Sequence, residues 1–140
     1  MRNERGQALL ETALILPIVL LLMAGIFEFG RAYQVVQVLT NAAREGSRVA
    51  ILPYVGANTD AVIRAQGYLA NGGVKGATVT VTPTLMNIGA STVAGTQVKI
   101  SYPFSFMVLN PLAQLVVKGS LVGNAPLTLN VASEMRIEAQ

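Results

Sequence analysis

Residues 6–31 read GQALLETALILPIVLLLMAGIFEFGR, and this stretch decides the fold of the 140-residue chain. Between Glu11 and Glu28, the residues from Thr12 to Phe27 are all uncharged and nearly all aliphatic. As an α-helix, the segment from Ala8 to Gly30 would be about 35 Å long, enough to cross a bilayer core of about 30 Å. The sequence therefore predicts a membrane-spanning helix over this segment.

The composition of the chain excludes several classes of protein. It is 52% hydrophobic and 12% charged, with a mean hydropathy of +0.52, whereas a soluble domain is about 25% charged. Cysteine and histidine are absent, which excludes disulfides, Cys/His zinc sites and Cys- or His-based catalysis. The net charge of +3 is too small for a dense nucleic-acid-binding face. Phosphate loops and paired catalytic carboxylates are also missing, so we expect no enzyme, no cofactor and no metal site.

Three kinds of N-terminal segment share the pattern of a basic start followed by an apolar stretch. A cleaved secretory signal has this pattern, but here Glu11 interrupts the apolar stretch and no A-x-A-like cleavage site follows it. An ordinary membrane anchor would place Glu11 at headgroup level, where its charge suits the helix dipole. The third kind gives the carboxylate a partner, as charged groups inside apolar spans usually have one. If the chain were cut after Gly6, Glu11 would be the fifth residue and could pair with the freed amine of Gln7 on a neighbouring copy.

The helix is predicted to continue beyond the membrane. Residues 31–51 contain no proline, and their apolar positions recur with a helical period. Pro53 ends the helix because the residue before a proline is disfavoured in the α conformation. We therefore expect one helix from about Ala8 to Leu52.

Two features inside this helix have predicted consequences. Pro17 would break a helix in water at a cost of about 3 kcal/mol, but membrane helices tolerate proline and kink there. Glu28 and Arg31 are three residues apart and can pair on the helix surface.

The second half of the helix carries a basic pair. Arg44 and Arg48 lie four residues apart on one face, either as a solvated stripe or facing a carboxylate. Glu45 points at a different angle, so such a partner would come from the C-terminal region or from another subunit. Gly46 costs about 1 kcal/mol relative to Ala in mid-helix, which favours a close approach by the C-terminal region.

A family resemblance rests on four pieces of the sequence: Gly6-Gln-Ala-Leu-Leu-Glu11, the apolar helix, Phe29-Gly-Arg31 and Ala42-Ala-Arg-Glu-Gly-Ser-Arg48. Together they resemble the TadE-like family of pseudopilins, or minor-pilin-like proteins, of the tight-adherence (Tad) secretion and pilus systems. The resemblance covers about residues 5–51. It implies that the protein belongs to a type IV pilus-related assembly and that a prepilin peptidase cuts the chain between Gly6 and Gln7.

The resemblance also implies an organisation and a location. Residues 1–6 would be the prepilin leader and 7–52 the stalk helix, with 8–30 in the membrane, 31–52 projecting and 53–140 forming the head. Glu11 would serve assembly, Pro17 would kink the stalk, and the family-motif or head contacts would be Arg31, Arg44, Glu45, Gly46 and Arg48. The protein would be single-pass in the bacterial inner membrane with a periplasmic head, or in the pilus after assembly. Its partners would be the prepilin peptidase, other pilin or pseudopilin subunits, the inner-membrane assembly machinery and the lipid bilayer.

The C-terminal region is predicted to be a small α/β head with few charged residues. We expect a helix over residues 60–70 capped by Asn58 or Thr59 and ending at the glycines that follow Asn71. Alternating patterns predict strands over 78–82, 98–102 and 127–137, a hairpin loop over 86–95, and a short helix over 112–118. The predicted fold class is thus α+β, with a small antiparallel sheet packed on the projecting half of the long helix.

Three smaller expectations concern side chains of the head. Pro103 places the end of its strand at an edge or bulge. Glu134 and Glu138 face the same side of the last strand and are expected at a solvated edge. Phe104, Phe106 and Met107 are expected in the core, with a subunit-contact patch as the alternative.

The leading functional hypothesis is a pseudopilin or minor pilin that takes part in assembling a Tad pilus for adhesion or secretion. One alternative is an uncleaved, membrane-tethered periplasmic binding domain. A second alternative is the main structural subunit of a pilus-like filament.

Overall fold

The computed structural model describes residues 4–89, 91–108, 110–111 and 127–137. Its elements, in chain order, are helix α1 (Glu4–Ala50), helix α2 (Ala57–Asn71) and strands β1 (Thr78–Ile88), β2 (Ser91–Phe104) and β3 (Leu127–Arg136). The predicted α+β class is confirmed, with a long apolar helix, a short helix and a three-stranded antiparallel sheet. The helix predicted over residues 112–118 and the position of Glu138 lie outside the described residues.

The chain divides into two compact units. One contains α1 up to Ala32 together with the segment that begins at Ser105. The other contains α1 from Tyr33 onward, α2 and the three strands. This division reflects which residues pack together. The division into leader, stalk and head comes from the sequence and stays a prediction.

Helix α1 runs for 47 residues, a length of about 70 Å at 1.5 Å per residue. It begins before the predicted Ala8 and ends at Ala50, two residues before the predicted Leu52. The end moves because Leu52 precedes Pro53 and cannot comfortably stay helical. Its amide instead donates to the carbonyl of Val49 at 3.1 Å, which tightens the last turn.

Helix α2 begins at Ala57, three residues before the predicted start at Asp60. The predicted caps Asn58 and Thr59 are therefore wrong, because both residues lie inside the helix. Gly56 holds the N-cap position with φ of 104° and no side-chain capping bond. That conformation is one that glycine adopts without steric cost, so the chain turns into α2 without a side-chain cap at Gly56.

The two ends of α2 are fixed by local contacts. At the start, the Tyr54 hydroxyl donates to the Asp60 carboxylate at 2.6 Å, and this hydrogen bond raises the pKa of the Tyr54 phenol. At the end, the Gly72 amide donates to the carbonyl of Tyr68 at 3.0 Å, and Gly73 adopts φ of 74°. The predicted end of the helix at these glycines is thereby confirmed.

The sheet has the strand order β1-β2-β3, antiparallel throughout. Strands β1 and β2 pair from Thr78 opposite Ser101 to Ile88 opposite Ser91. The long hairpin loop predicted over residues 86–95 is therefore wrong, since both strands continue through it. The ladder runs up to Gly89, which adopts φ of 63° as the turn begins.

Two prolines lie at positions of the sheet where a missing amide does little harm. Pro83 lies in β1, an outer strand of the sheet. Pro103 lies in β2 beyond Ser101, the last residue of β2 that pairs with β1, and it pairs only with Thr128 of β3. The local edge predicted for Pro103 matches this position, because a strand with one neighbour can spare one donor.

The core of the second unit is made mostly of small side chains. Its buried members are Leu39, Ala42, Ala43 and Ala50 of α1, Ala61, Ala65 and Leu69 of α2, and Val74, Val98 and Ile100. Alanines on both helices let α1 and α2 approach closely while their backbones stay hydrogen-bonded. The predicted core membership of Phe104 is correct, as it is buried, but Met107 is 67% exposed.

Candidate functional site

The predicted cleavage residues lie in the first turns of α1. Gly6 and Gln7 are both exposed, and the helix begins before them at Glu4. A Cβ atom added to Gly6 would meet nothing within 4 Å. Packing within the chain therefore does not require glycine at this position.

Glu11 is exposed on α1 near the N-terminal end of an apolar surface. The neighbouring Thr12 hydroxyl donates to the Ala8 carbonyl at 2.9 Å and is satisfied within the helix. Of the side chains that the structure describes from Gly6 onward, none forms an ion pair with Glu11. A carboxylate in a membrane span is costly and is usually paired with another polar group, and the described part of this chain offers Glu11 no ion-pair partner.

The first half of α1 is almost entirely uncovered. Every Leu, Ile, Val, Met and Phe side chain from Leu9 to Phe29 is exposed. An exposed apolar surface of this extent marks contact with a membrane or another protein. The helix is long and apolar enough to cross a membrane, and it fits a single-pass membrane protein. Pro17 lies inside it, and the kink expected there stays a prediction.

Glu28 forms a buried polar contact within the first unit. Its side chain is fully buried, and its Oε2 accepts a hydrogen bond from Arg31 Nη2 at 3.0 Å, so the predicted pair is confirmed. Its Oε1 accepts from the backbone amides of Met107 and Val108, both at 2.7 Å. Arg31 Nη2 also donates to the carbonyl oxygen of Ser105.

These contacts tie the segment 105–108 to α1. A buried carboxylate is costly unless several donors surround it, and Glu28 has two amides and a guanidinium. Bonds of this kind, with a charged partner, contribute about 1.5–3 kcal/mol each. Glu28 and Arg31 together therefore fix the backbone of this segment against the end of the apolar stretch.

The basic pair of α1 lies at the surface of the second unit. Arg44 and Arg48 are exposed and line a shallow groove with Tyr68 and Glu134. Glu134 accepts a hydrogen bond from Gln97 instead. Over the described residues, no carboxylate forms an ion pair with either arginine, so a partner on another subunit stays a prediction.

Glu45 and Gly46 both face α2. Glu45 Oε1 accepts from Arg64 at 2.8 and 3.0 Å, and this pair is largely exposed, so it contributes little to stability. A Cβ atom on Gly46 would lie 3.2 Å from Ala65 Cβ and 3.3 Å from the Ala61 carbonyl oxygen. The glycine therefore lies where α1 packs closely against α2.

Some residues of these contacts gave no signal in the sequence. The amides of Met107 and Val108 were not foreseen, although a carboxylate at the end of an apolar stretch signals that some partner exists. Ser47 was also missed: its buried hydroxyl lies 2.8 Å from the Ala43 carbonyl oxygen and 3.1 Å from that of Ser133. The hydroxyl donates its single proton to one of the two at a time, and a hydrogen bond to the Ser133 carbonyl links α1 to β3.

Comparison with known proteins agrees with the first part of the chain. Residues 6–48 match the TadE family model, described as TadE-like protein, and this confirms the resemblance that the residues carry. No curated protein and no solved structure matches the chain. The matched segment supports a pilin-like protein associated with a Tad pilus, and the family is a pilin-type structural component.

Proposed function

We propose that this chain is a pseudopilin or minor pilin that a prepilin peptidase cuts between Gly6 and Gln7 before it enters a Tad pilus. The observation that carries the proposal is the uncovered apolar half of α1 together with the exposed carboxylate of Glu11. Glu11 is the fifth residue counted from Gln7. This position would bring it near the new N-terminus of an adjacent helix.

Assembly would transfer the apolar helix from lipid into a bundle with other pilin subunits. Both environments are apolar, so the exposed side chains from Leu9 to Phe29 suit either one. The carboxylate of Glu11 would then pair with the amine of Gln7 on a neighbouring copy. Because the desolvation of a buried ion pair offsets much of its attraction, the pair would fix register more than it would add stability.

The location in this proposal is the bacterial inner membrane, with the C-terminal residues in the periplasm. The partners are the prepilin peptidase, other pilin subunits and the membrane-bound assembly machinery. The matched segment, residues 6–48, supports this proposal because it contains the cleavage residues and Glu11. The head would prime, cap or decorate the pilus.

The N-terminus of the protein isolated from its host tests the proposal. Intact mass and N-terminal sequencing are expected to find Gln7 as the first residue. The Gly6→Val variant is expected to keep its leader. Because Gly6 has open space around it, this loss of cleavage would report on the peptidase and not on folding. Gly25→Val is a matched control, since Gly25 is also helical with nothing within 4 Å, and it should be cut normally.

The same experiment separates the alternatives. A mature protein that keeps Met1 would contradict processing and support the uncleaved membrane-tethered domain. If the chain is cut and also makes up most of the subunits in purified filaments, the result would support the main structural subunit instead.

A further inference from the structure

The segment 105–108 is held by its backbone, which leaves its apolar side chains outward. The amides of Met107 and Val108 both bond to Glu28 at 2.7 Å, yet Met107 is 67% and Val108 38% exposed. The backbone polar groups that bond to Glu28 are thereby removed from solvent while the side chains remain uncovered. Such a segment can enter an apolar environment without leaving those two amides unpaired.

The anchor point of this segment lies at the predicted boundary of the membrane. The predicted span of residues 8–30 has its centre near residue 19, and Glu28 follows nine residues later. At 1.5 Å per residue this is about 14 Å along the helix, close to half of a hydrocarbon core of about 30 Å. Glu28 and the amides bound to it are therefore placed where hydrocarbon meets headgroups.

The sequence around the segment is also unusually free of charge. Residues 100–117 contain no Asp, Glu, Lys or Arg, whereas about a quarter of the residues in an ordinary soluble domain are charged. On α1, Phe27 and Phe29 flank Glu28 and are 65% and 68% exposed. The apolar surface of the helix thus reaches the level at which the segment is tied.

We propose that residues 105–108 form a second membrane contact, in which Met107 and Val108 insert into the lipid interface while Glu28 and Arg31 hold the backbone. The inference rests on the membrane position of α1 in the proposed function. Lipid is favoured over a second copy of the chain because the segment continues the apolar surface of a membrane-length helix. Interfacial segments of this kind bury apolar side chains about 5–10 Å into the headgroup and acyl boundary.

The test uses the full-length chain, which has no native cysteine. Single variants Met107→Cys, Leu20→Cys and Val55→Cys carry an environment-sensitive fluorophore and are reconstituted in vesicles of phosphatidylethanolamine and phosphatidylglycerol. Leu20 is an exposed residue of the predicted span, and Val55 is a fully exposed apolar residue in the link between α1 and α2. Lipids spin-labelled near the headgroup or near the chain end, and iodide in the water, serve as quenchers.

The label at Met107 is expected to be quenched more by the headgroup-proximal spin label than by the chain-end one and to resist iodide, as an interfacial position would. The label at Leu20 should be quenched most by the chain-end spin label. The label at Val55 should respond to iodide alone. Adding Glu28→Ala to Met107→Cys should return the label to iodide-accessible water, because the segment loses the acceptor of its two amides.

Each other outcome overturns a defined part of the proposal. If the label at Leu20 is quenched by lipid but that at Met107 behaves like Val55, the lipid contact is wrong and the membrane span stands. If Leu20 also escapes lipid quenching, the membrane position of α1 fails and the lipid contact fails with it. The Met107 label could instead be shielded from the spin-labelled lipids and from iodide, with shielding that grows with the protein-to-lipid ratio. This result would show that a second copy of the chain, and not lipid, covers the segment.

Discussion

Glu28 shows how one residue can determine the position of a distant segment. Its carboxylate is buried and accepts from two amides and from Arg31. We expect Glu28→Ala to raise amide hydrogen exchange over residues 105–108 by about tenfold or more, since bonds to a charged acceptor contribute about 1.5–3 kcal/mol each. Hydrogen exchange read by mass spectrometry in detergent micelles measures the change.

The matched control for this variant is Glu45→Ala. Glu45 is also a glutamate of α1 in an ion pair, but its partner is Arg64 of α2 and the pair is largely exposed. Its loss should leave exchange over residues 105–108 unchanged. Equal protection in Glu28→Ala and the unaltered chain would show that the carboxylate does not hold the segment.

The residue scale also shows where prediction from sequence ends. The pair of Glu28 and Arg31 could be predicted because both residues lie on one helix, three apart. The other two partners of Glu28 could not be predicted, since they are backbone amides 79 and 80 residues away. Every residue except proline carries such an amide, so side-chain identity gives no sign of which segment Glu28 binds.

Among the helices, Gly46 is a position of close packing between α1 and α2. A Cβ atom there would already be tight against Ala65 and the Ala61 carbonyl, so a larger side chain forces the helices apart. We expect Gly46→Leu to destabilise the fold by about 1–3 kcal/mol, as overpacked cores do. A lower midpoint in thermal unfolding followed by circular dichroism would show it.

Gly67→Leu provides the control for the loss of a helical glycine. Gly67 lies within α2, with nothing within 4 Å of a Cβ atom built there. Leucine has a higher helix propensity than glycine, so this variant should match or exceed the stability of the unaltered chain. If both variants unfold at the same temperature, close packing at Gly46 does not limit the approach of the helices.

The strands show a different limit of sequence analysis. The first strand was foreseen only from Thr78 to Thr82, where polar and apolar residues alternate, but β1 continues to Ile88. Beyond Thr82 the alternation weakens, and the ladder is extended by backbone pairing up to the turn that starts at Gly89. Backbone pairing depends little on side-chain polarity, so small and polar residues there suggested a loop where a long hairpin forms.

On the scale of the whole molecule, the exposed apolar residues are concentrated in the first half of α1. The most apolar part of the sequence became the uncovered half of α1, as its length and hydropathy predicted. The packed core of the second unit uses mainly alanine, valine and leucine, which leave less distinct patterns. The chain is therefore predictable where the length and hydropathy of one segment decide its structure, and less so where many weak contacts combine.

The role proposed for Glu11 concerns the assembled filament, because the chain alone leaves this carboxylate exposed. We expect Glu11→Ala to insert in the membrane and to lose its leader normally, yet to be absent from filaments sheared from the cells. Removing one charge from an apolar surface lowers the cost of insertion, so failure would arise at the step where subunits pair. Thr12→Ala is the control, since the Thr12 hydroxyl donates to the Ala8 carbonyl of its own helix, and it should enter filaments normally. Quantitative immunoblots of membrane and filament fractions give the result, and filaments that contain the Glu11→Ala chain at the unaltered level would remove Glu11 from the assembly mechanism.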